Sequence, residues 1–117
     1  MKKYILLFAA IVFSLGVMAQ KGKVASSLTL IDQGALDKAK EAIDQAMVHE
    51  KTKNWSNTYF AKGKLCQAVY SSDNQSYKSF FADPLAEAYA AYEKSIELDP
   101  KGGAKKRIIA NMIYNSL

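Results

Sequence analysis

Apolar residues recur along this chain at helical intervals. Val24, Leu28 and Ile31 follow one another at steps of four and three, which predicts a short helix over residues 24–31 ending before Gln33-Gly34. A second helix is predicted over residues 35–49, with Leu36, Ala39, Ile43, Ala46 and Met47 on one face and Lys38, Lys40, Glu41, Asp44 and Gln45 around the rest. A third is predicted over residues 55–70, carrying Tyr59, Gly63, Cys66 and Tyr70 on a stripe. Gly63 costs helix propensity there but lets another backbone approach closely. Asp83-Pro84 predicts the next helix start, because the aspartate caps free amides and proline needs no amide bond in a first turn. This helix carries Leu85, Ala88, Tyr89, Tyr92 and Ile96 and stops at Asp99-Pro100; Gly102 and Gly103 make the turn that follows. A last helix from about residue 104 to the end sets Ile109, Met112 and Ile113 on one side, with Ile108 beside them.

Two of these helices repeat each other. Leu36, Ala39, Ala42, Ile43 and Ala46 return 49 residues later as Leu85, Ala88, Ala91, Tyr92 and Ser95, so the chain reads as an all-α protein of stacked helical hairpins. Between the third and fourth helices, residues 71–82 break the pattern. Residues 71–76 are turn chemistry, whereas Tyr77, Phe80 and Phe81 are too apolar to be left in water, so the segment is an insertion within a hairpin.

The start of the chain is of another kind. Lys2 and Lys3 precede an apolar run over residues 4–17, and Val17-Met18-Ala19 ends it before the polar Gln20-Lys21-Gly22-Lys23. The run falls short of the roughly 20 apolar residues of a membrane-spanning helix, so residues 1–19 are expected to be a cleavable signal peptide, followed by one domain over residues 20–117. Export to the periplasm or envelope of a bacterium is the implied location. Without Lys2 and Lys3 the chain holds 14 basic against 11 acidic side chains. Most alternate in sign, as solvated helix faces do, and give no nucleic-acid footprint. Only Lys105-Lys106-Arg107 is a basic cluster, read as the wet first turn of a helix.

Candidate chemistry is sparse. Cys66 is the only cysteine, which excludes an internal disulfide and suits a small buried side chain. His49 and Cys66 fall in different helices with no pattern of acid, base and oxyanion donors around them, and one His with one Cys makes no metal set. Asp73, Asp83 and Glu87 read as loop and cap residues. The expectation is a non-catalytic protein without metal or cofactor.

The two matched helices resemble the second helix of the tetratricopeptide (TPR) repeat. Its alanine, large apolar residue, small residue and proline stand here as Ala88, Tyr92, Ser95 and Pro100, and earlier as Ala39, Ile43 and Ala46, with Lys51 in place of the proline. Gly34 lies where the family turns between helices. Ile109, Ala110 and Ile113 match its first helix; Tyr59, Gly63 and Cys66 match it in the middle repeat, with Lys62 where the family has leucine. The family repeat is 34 residues, and most of the excess in the 49-residue offset falls in the insertion. The resemblance implies antiparallel helix-turn-helix repeats stacked as a short right-handed α-solenoid: a first hairpin over 24–50, a second over 54–100 with insertion 71–82, and the first helix of an incomplete third over 103–117.

It further implies a scaffold that binds a protein or peptide along the groove of the first helices. Trp55, Asn57, Lys62 and Arg107 are then the candidate contacts, Trp55 being the best anchor because aromatic residues dominate interface energies. Trp55 has a plainer reading, as a seal at the junction with the preceding helix. Tyr77, Phe80 and Phe81 are candidates to cover one end of the groove, against the plainer expectation that they pack on their own hairpin. The last helix lacks a stop signal. Its apolar side chains would contribute about 1.5–3 kcal/mol each if buried, against roughly 1–2 kcal/mol per residue of backbone entropy, so residues 1–117 are expected to be the amino-terminal piece of a longer protein. The rival expectation is a structural or oligomerisation module of an envelope protein whose activity lies outside this chain.

Overall fold

The computed structural model describes residues 19–116, all of whose regular structure is helical. The expected signal peptide lies outside the described residues except for Ala19. The first helix, α1, covers residues 19–32 and therefore includes both Ala19 and Gln20, beginning earlier than the apolar spacing from Val24 predicts. It is followed by α2 (Leu36–Val48), α3 (Ser56–Ser71), a single turn α4 (Gln75–Lys78), α5 (Pro84–Leu98) and α6 (Gly103–Ser116).

Gly34 and Gly102 adopt φ of +79° and +87°, the left-handed turn conformation that a side chain disfavours, and so end α1 and lead into α6. At α5 the Asp83 carboxylate accepts the Ala86 amide at 3.2 Å with Pro84 in the first turn. At its other end Asp99 serves two helices. Its amide donates to the Ile96 carbonyl at 3.1 Å, and its side chain accepts the Ala104 amide of α6 at 2.8 Å.

Cross-contacts fix the helix directions. Lys23 donates to Gln45 at 2.7 Å while Ile31 and Leu36 meet in one cluster at the turn, so α1 and α2 are antiparallel. Ser56 and Ser95 exchange hydroxyl-to-carbonyl bonds at 2.7 and 2.9 Å, and Phe60 lies 6.1 Å from Tyr92, which makes α3 and α5 antiparallel. Lys21 stands 5.1 Å over the Trp55 ring and Asp32 lies 3.7 Å from Lys64, so α1 and α3 run the same way. Arg107 bonds Asn57 and Asn111 bonds Gln67, each at 2.9 Å, which sets α6 parallel to α3. α3 is thus the hub, packed against α2, α4, α5 and α6.

The main core joins Val24 and Ile31 of α1, Leu36, Ala39, Ile43 and Ala46 of α2, and Ala61, Leu65 and Val69 of α3. A smaller one joins Phe60, Tyr92 and Ile108. Buried polar groups at the connections are bonded: Thr52 donates to the Ala46 carbonyl at 2.7 Å, and Thr58 to the Thr52 carbonyl at 2.9 Å. Burying them without partners would cost about 1–3 kcal/mol apiece.

Three expectations need correction. The buried side of α3 is wider than its predicted stripe and includes Phe60, Ala61, Leu65 and Val69, because this hub helix meets neighbours on several sides; Tyr70, 54% exposed, falls outside it. On α6 the buried line is Ala104 and Ile108, whereas Ile109, Met112 and Ile113 are about half exposed, since α3 and α5 cover only one side of it. Gly63 does admit a neighbour, but it is the Tyr92 ring rather than a backbone: a Cβ at Gly63 would overlap that ring.

Candidate functional site

Because α1, α3 and α6 are parallel, their exposed sides align on one face. There Asp32, Lys64, Gln67 and Asn111 line, with Ile31 and Tyr70, an open cavity of about 350 Å³. The Asp32–Lys64 pair bridges α1 to α3; its aspartate is largely exposed, so the pair positions more than it stabilises. From α3 to α6 a three-residue network takes over. The Gln67 side-chain oxygen accepts from the Asn111 amide and from the Tyr92 hydroxyl, and Asn111 also donates to that hydroxyl oxygen at 3.1 Å. Burial above all raises the Tyr92 phenol well beyond its ordinary range, so it remains a neutral donor at physiological pH.

The expected contact residues fall into separate places. Asn57 and Arg107 come together: the Asn57 side-chain oxygen accepts from the guanidinium, which also lies 4.2 Å from the centre of the Phe60 ring. Trp55 is half-buried against the main core and stacks under Lys21. Lys62 points to a shallow recess with Tyr59, Glu87 and Lys94 between α3 and α5, away from Asn57. Tyr77, Phe80 and Phe81 pack on the main core, which α3 of their own hairpin shares with α1 and α2, and Lys40 of α2 lies 5.9 and 6.0 Å over the Phe80 and Phe81 rings. They sit apart from the Asn57–Arg107 pair.

Sequence reading missed Lys64, Gln67 and Asn111. A signal was present: Lys64 and Gln67 lie two and nearly three helical turns beyond Asn57, and Asn111 one turn beyond Arg107, so both pairs continue stripes already started. Amide side chains offer donors and acceptors together, and Lys64 adds a positive charge.

Of the residues weighed for catalysis, His49, Cys66 and Asp83 lie in three separate places. The imidazole Nδ1 of His49 accepts the Lys51 amide at 3.2 Å at the end of α2. Cys66 is fully buried, and desolvation pushes its thiol up to about 12, which keeps it protonated and unreactive at neutral pH. Asp83 is a helix cap. Among the described residues no three His, Cys, Asp or Glu side chains gather closely enough to hold a metal, and no helix is long and apolar enough to cross a membrane.

Comparison with family models, with curated proteins and with solved structures gives no match for this chain.

Proposed function

We propose that this chain is an exported, non-catalytic scaffold of TPR-like stacked hairpins that holds a protein or peptide partner without a cofactor. The observation that carries the proposal is the parallel alignment of α1, α3 and α6, whose polar side chains line one open face. Two further features support a solenoid arrangement. The Lys21–Trp55 contact joins α1 to α3 across one family repeat length of 34 residues, and the matched positions of α2 and α5 both turn small residues inward. Such a face suits an extended peptide, whose backbone alternates donors and acceptors as the amides of Gln67 and Asn111 do.

Selection of binders from a random peptide library on the full chain tests the reading. Lys64→Glu and Gln67→Ala are expected to weaken the selected peptides at least tenfold while leaving the helical circular dichroism unchanged. Binders indifferent to both substitutions would sink the groove. Export has its own test: protein recovered from the envelope fraction should begin at Gln20, and recovery in the cytoplasm starting at Met1 would refute it.

A second reading, a structural module of a longer envelope protein, draws on the exposed apolar side chains of α5 and α6, notably Leu85, Tyr89, Ile109 and Met112. Its signature would be concentration-dependent assembly on sizing chromatography.

A further inference from the structure

The outer side of α2 is covered by the chain's own aromatic insertion, whereas the matching side of α5 is open. At the 49-residue offset, Leu36, Lys40, Asp44 and Met47 correspond to Leu85, Tyr89, Glu93 and Ile96. Tyr77, Phe80 and Phe81 pack on the cluster that includes Leu36, and both phenylalanine rings lie beneath Lys40. Leu36, within that cluster, is 3% exposed. Its counterpart Leu85 is 47% exposed and Tyr89 71%, on the wall of an apolar groove of about 390 Å³ between α5 and α6, which Tyr92, Ile108, Ile109 and Met112 also line.

We infer that this groove binds a partner-protein segment carrying aromatic residues at i, i+3 and i+4 on a short helical turn, the chemistry with which the chain covers the matching side of α2. The inference rests on the scaffold reading and names a second site and the kind of partner it takes. Size agrees for two of the three rings, because a cavity of about 150 Å³ holds one benzene ring and this groove of about 390 Å³ has room for two, with the third left at its rim. Composition agrees as well. Where α2 offers a lysine to ring faces, α5 offers the Tyr89 ring, and across the groove Met112 brings a polarisable thioether, both favourable against aromatic edges. Glu93 and Lys105 give the wall one charge of each sign, so the occupant is chosen by its rings rather than by net charge. A second copy is a poorer occupant, since its Tyr77, Phe80 and Phe81 are already seated on its own core.

The probe is a fluorescent peptide with the sequence of residues 73–83, titrated into the full chain and followed by anisotropy. Saturable binding is expected, at least tenfold weaker for the peptide with serine at its two phenylalanines, and at least tenfold weaker for the chain carrying Tyr89→Lys or Met112→Lys. Both positions are more than half exposed, so the folded circular dichroism spectrum should persist. The groove shares Gln67 and Leu85 with the cavity beside Lys64, but Lys64 lines only that cavity, so Lys64→Glu should leave this titration unchanged. No saturation at millimolar peptide, or affinity indifferent to Tyr89→Lys and Met112→Lys, would overturn the inference, as would a concentration-dependent dimer that Tyr89→Lys dissolves. If library peptides still depend on Lys64, which lines only the first cavity, only this inference fails; if they do not, the scaffold reading fails with its groove.

Discussion

α2 and α5 carry nearly the same pattern of small and large residues, yet one is closed in and the other is half open. Ala39 and Ala88, Ile43 and Tyr92, and Ala46 and Ser95 are all buried, so the inward line repeats faithfully. The difference lies at the edge of that line, at Leu36 and Leu85, where the neighbours supplied by the rest of the chain decide exposure. A repeated sequence therefore specifies which side of a helix faces its hairpin partner, but leaves its outer edge to whatever packs there next.

Leu36→Ala and Leu85→Ala break the comparison most directly. The first should cost about 2–5 kcal/mol in chemical denaturation, as buried leucines do, and the second well under about 1 kcal/mol. Equal losses would show that Leu85 is covered in solution. Replacing Phe80 and Phe81 together by serine should remove about 2–3 kcal/mol, because these rings are half-buried on the α2 core. A thermal melt unchanged by that pair would detach the insertion from the first hairpin.

Gly63→Ala asks how tightly α3 holds α5. Overpacking against the Tyr92 ring, whose hydroxyl is fixed by Gln67 and Asn111, should cost about 1–3 kcal/mol, and combining it with Tyr92→Leu should recover part of the loss. Alkaline pH probes the same seam through Cys66. A thiol raised on folding leaves stability untouched below its unfolded value of about 8.5; above that the unfolded chain releases the proton first, so stability falls by up to about 1.4 kcal/mol per pH unit until about 12. Cys66→Ala should abolish the decline that begins near pH 9 and leave only the later one from Tyr92. The smallest effect concerns the helix starts. α5 has the Asp83 cap, whereas Ala35 at the start of α2 makes no side-chain cap bond. Asp83→Ala should lose about 1 kcal/mol and Ala35→Asp gain a similar amount, both read from the melting temperature.

Much of the fold was written in local signals. Glycine turns at Gly34 and Gly102, the Asp83-Pro84 start and the apolar spacing of α2 each depend on residues within a turn of one another, and each recurs in the structure. What escaped depends on contacts between distant helices. The buried breadth of α3 follows from its central place among four other helices, which a single stripe does not encode. On α6, Ile108 and Ile109 are chemically alike, and only the position of Phe60 and Tyr92 decides that Ile108 is the buried one. Half of the expected site has the same character. Asn57 and Arg107 meet as a pair, yet Gln67 and Asn111 look like ordinary solvated amides until the parallel course of α3 and α6 brings them together.

Asp99 gives the joint between α5 and α6 a mechanical quality. Since one residue ends the first helix through its amide and starts the second through its carboxylate, the two axes share a rivet only five residues wide. α6 is tied again further along, where Asn111 bonds Gln67 and Tyr92, so the apolar cleft between α5 and α6 is anchored at two points along its length.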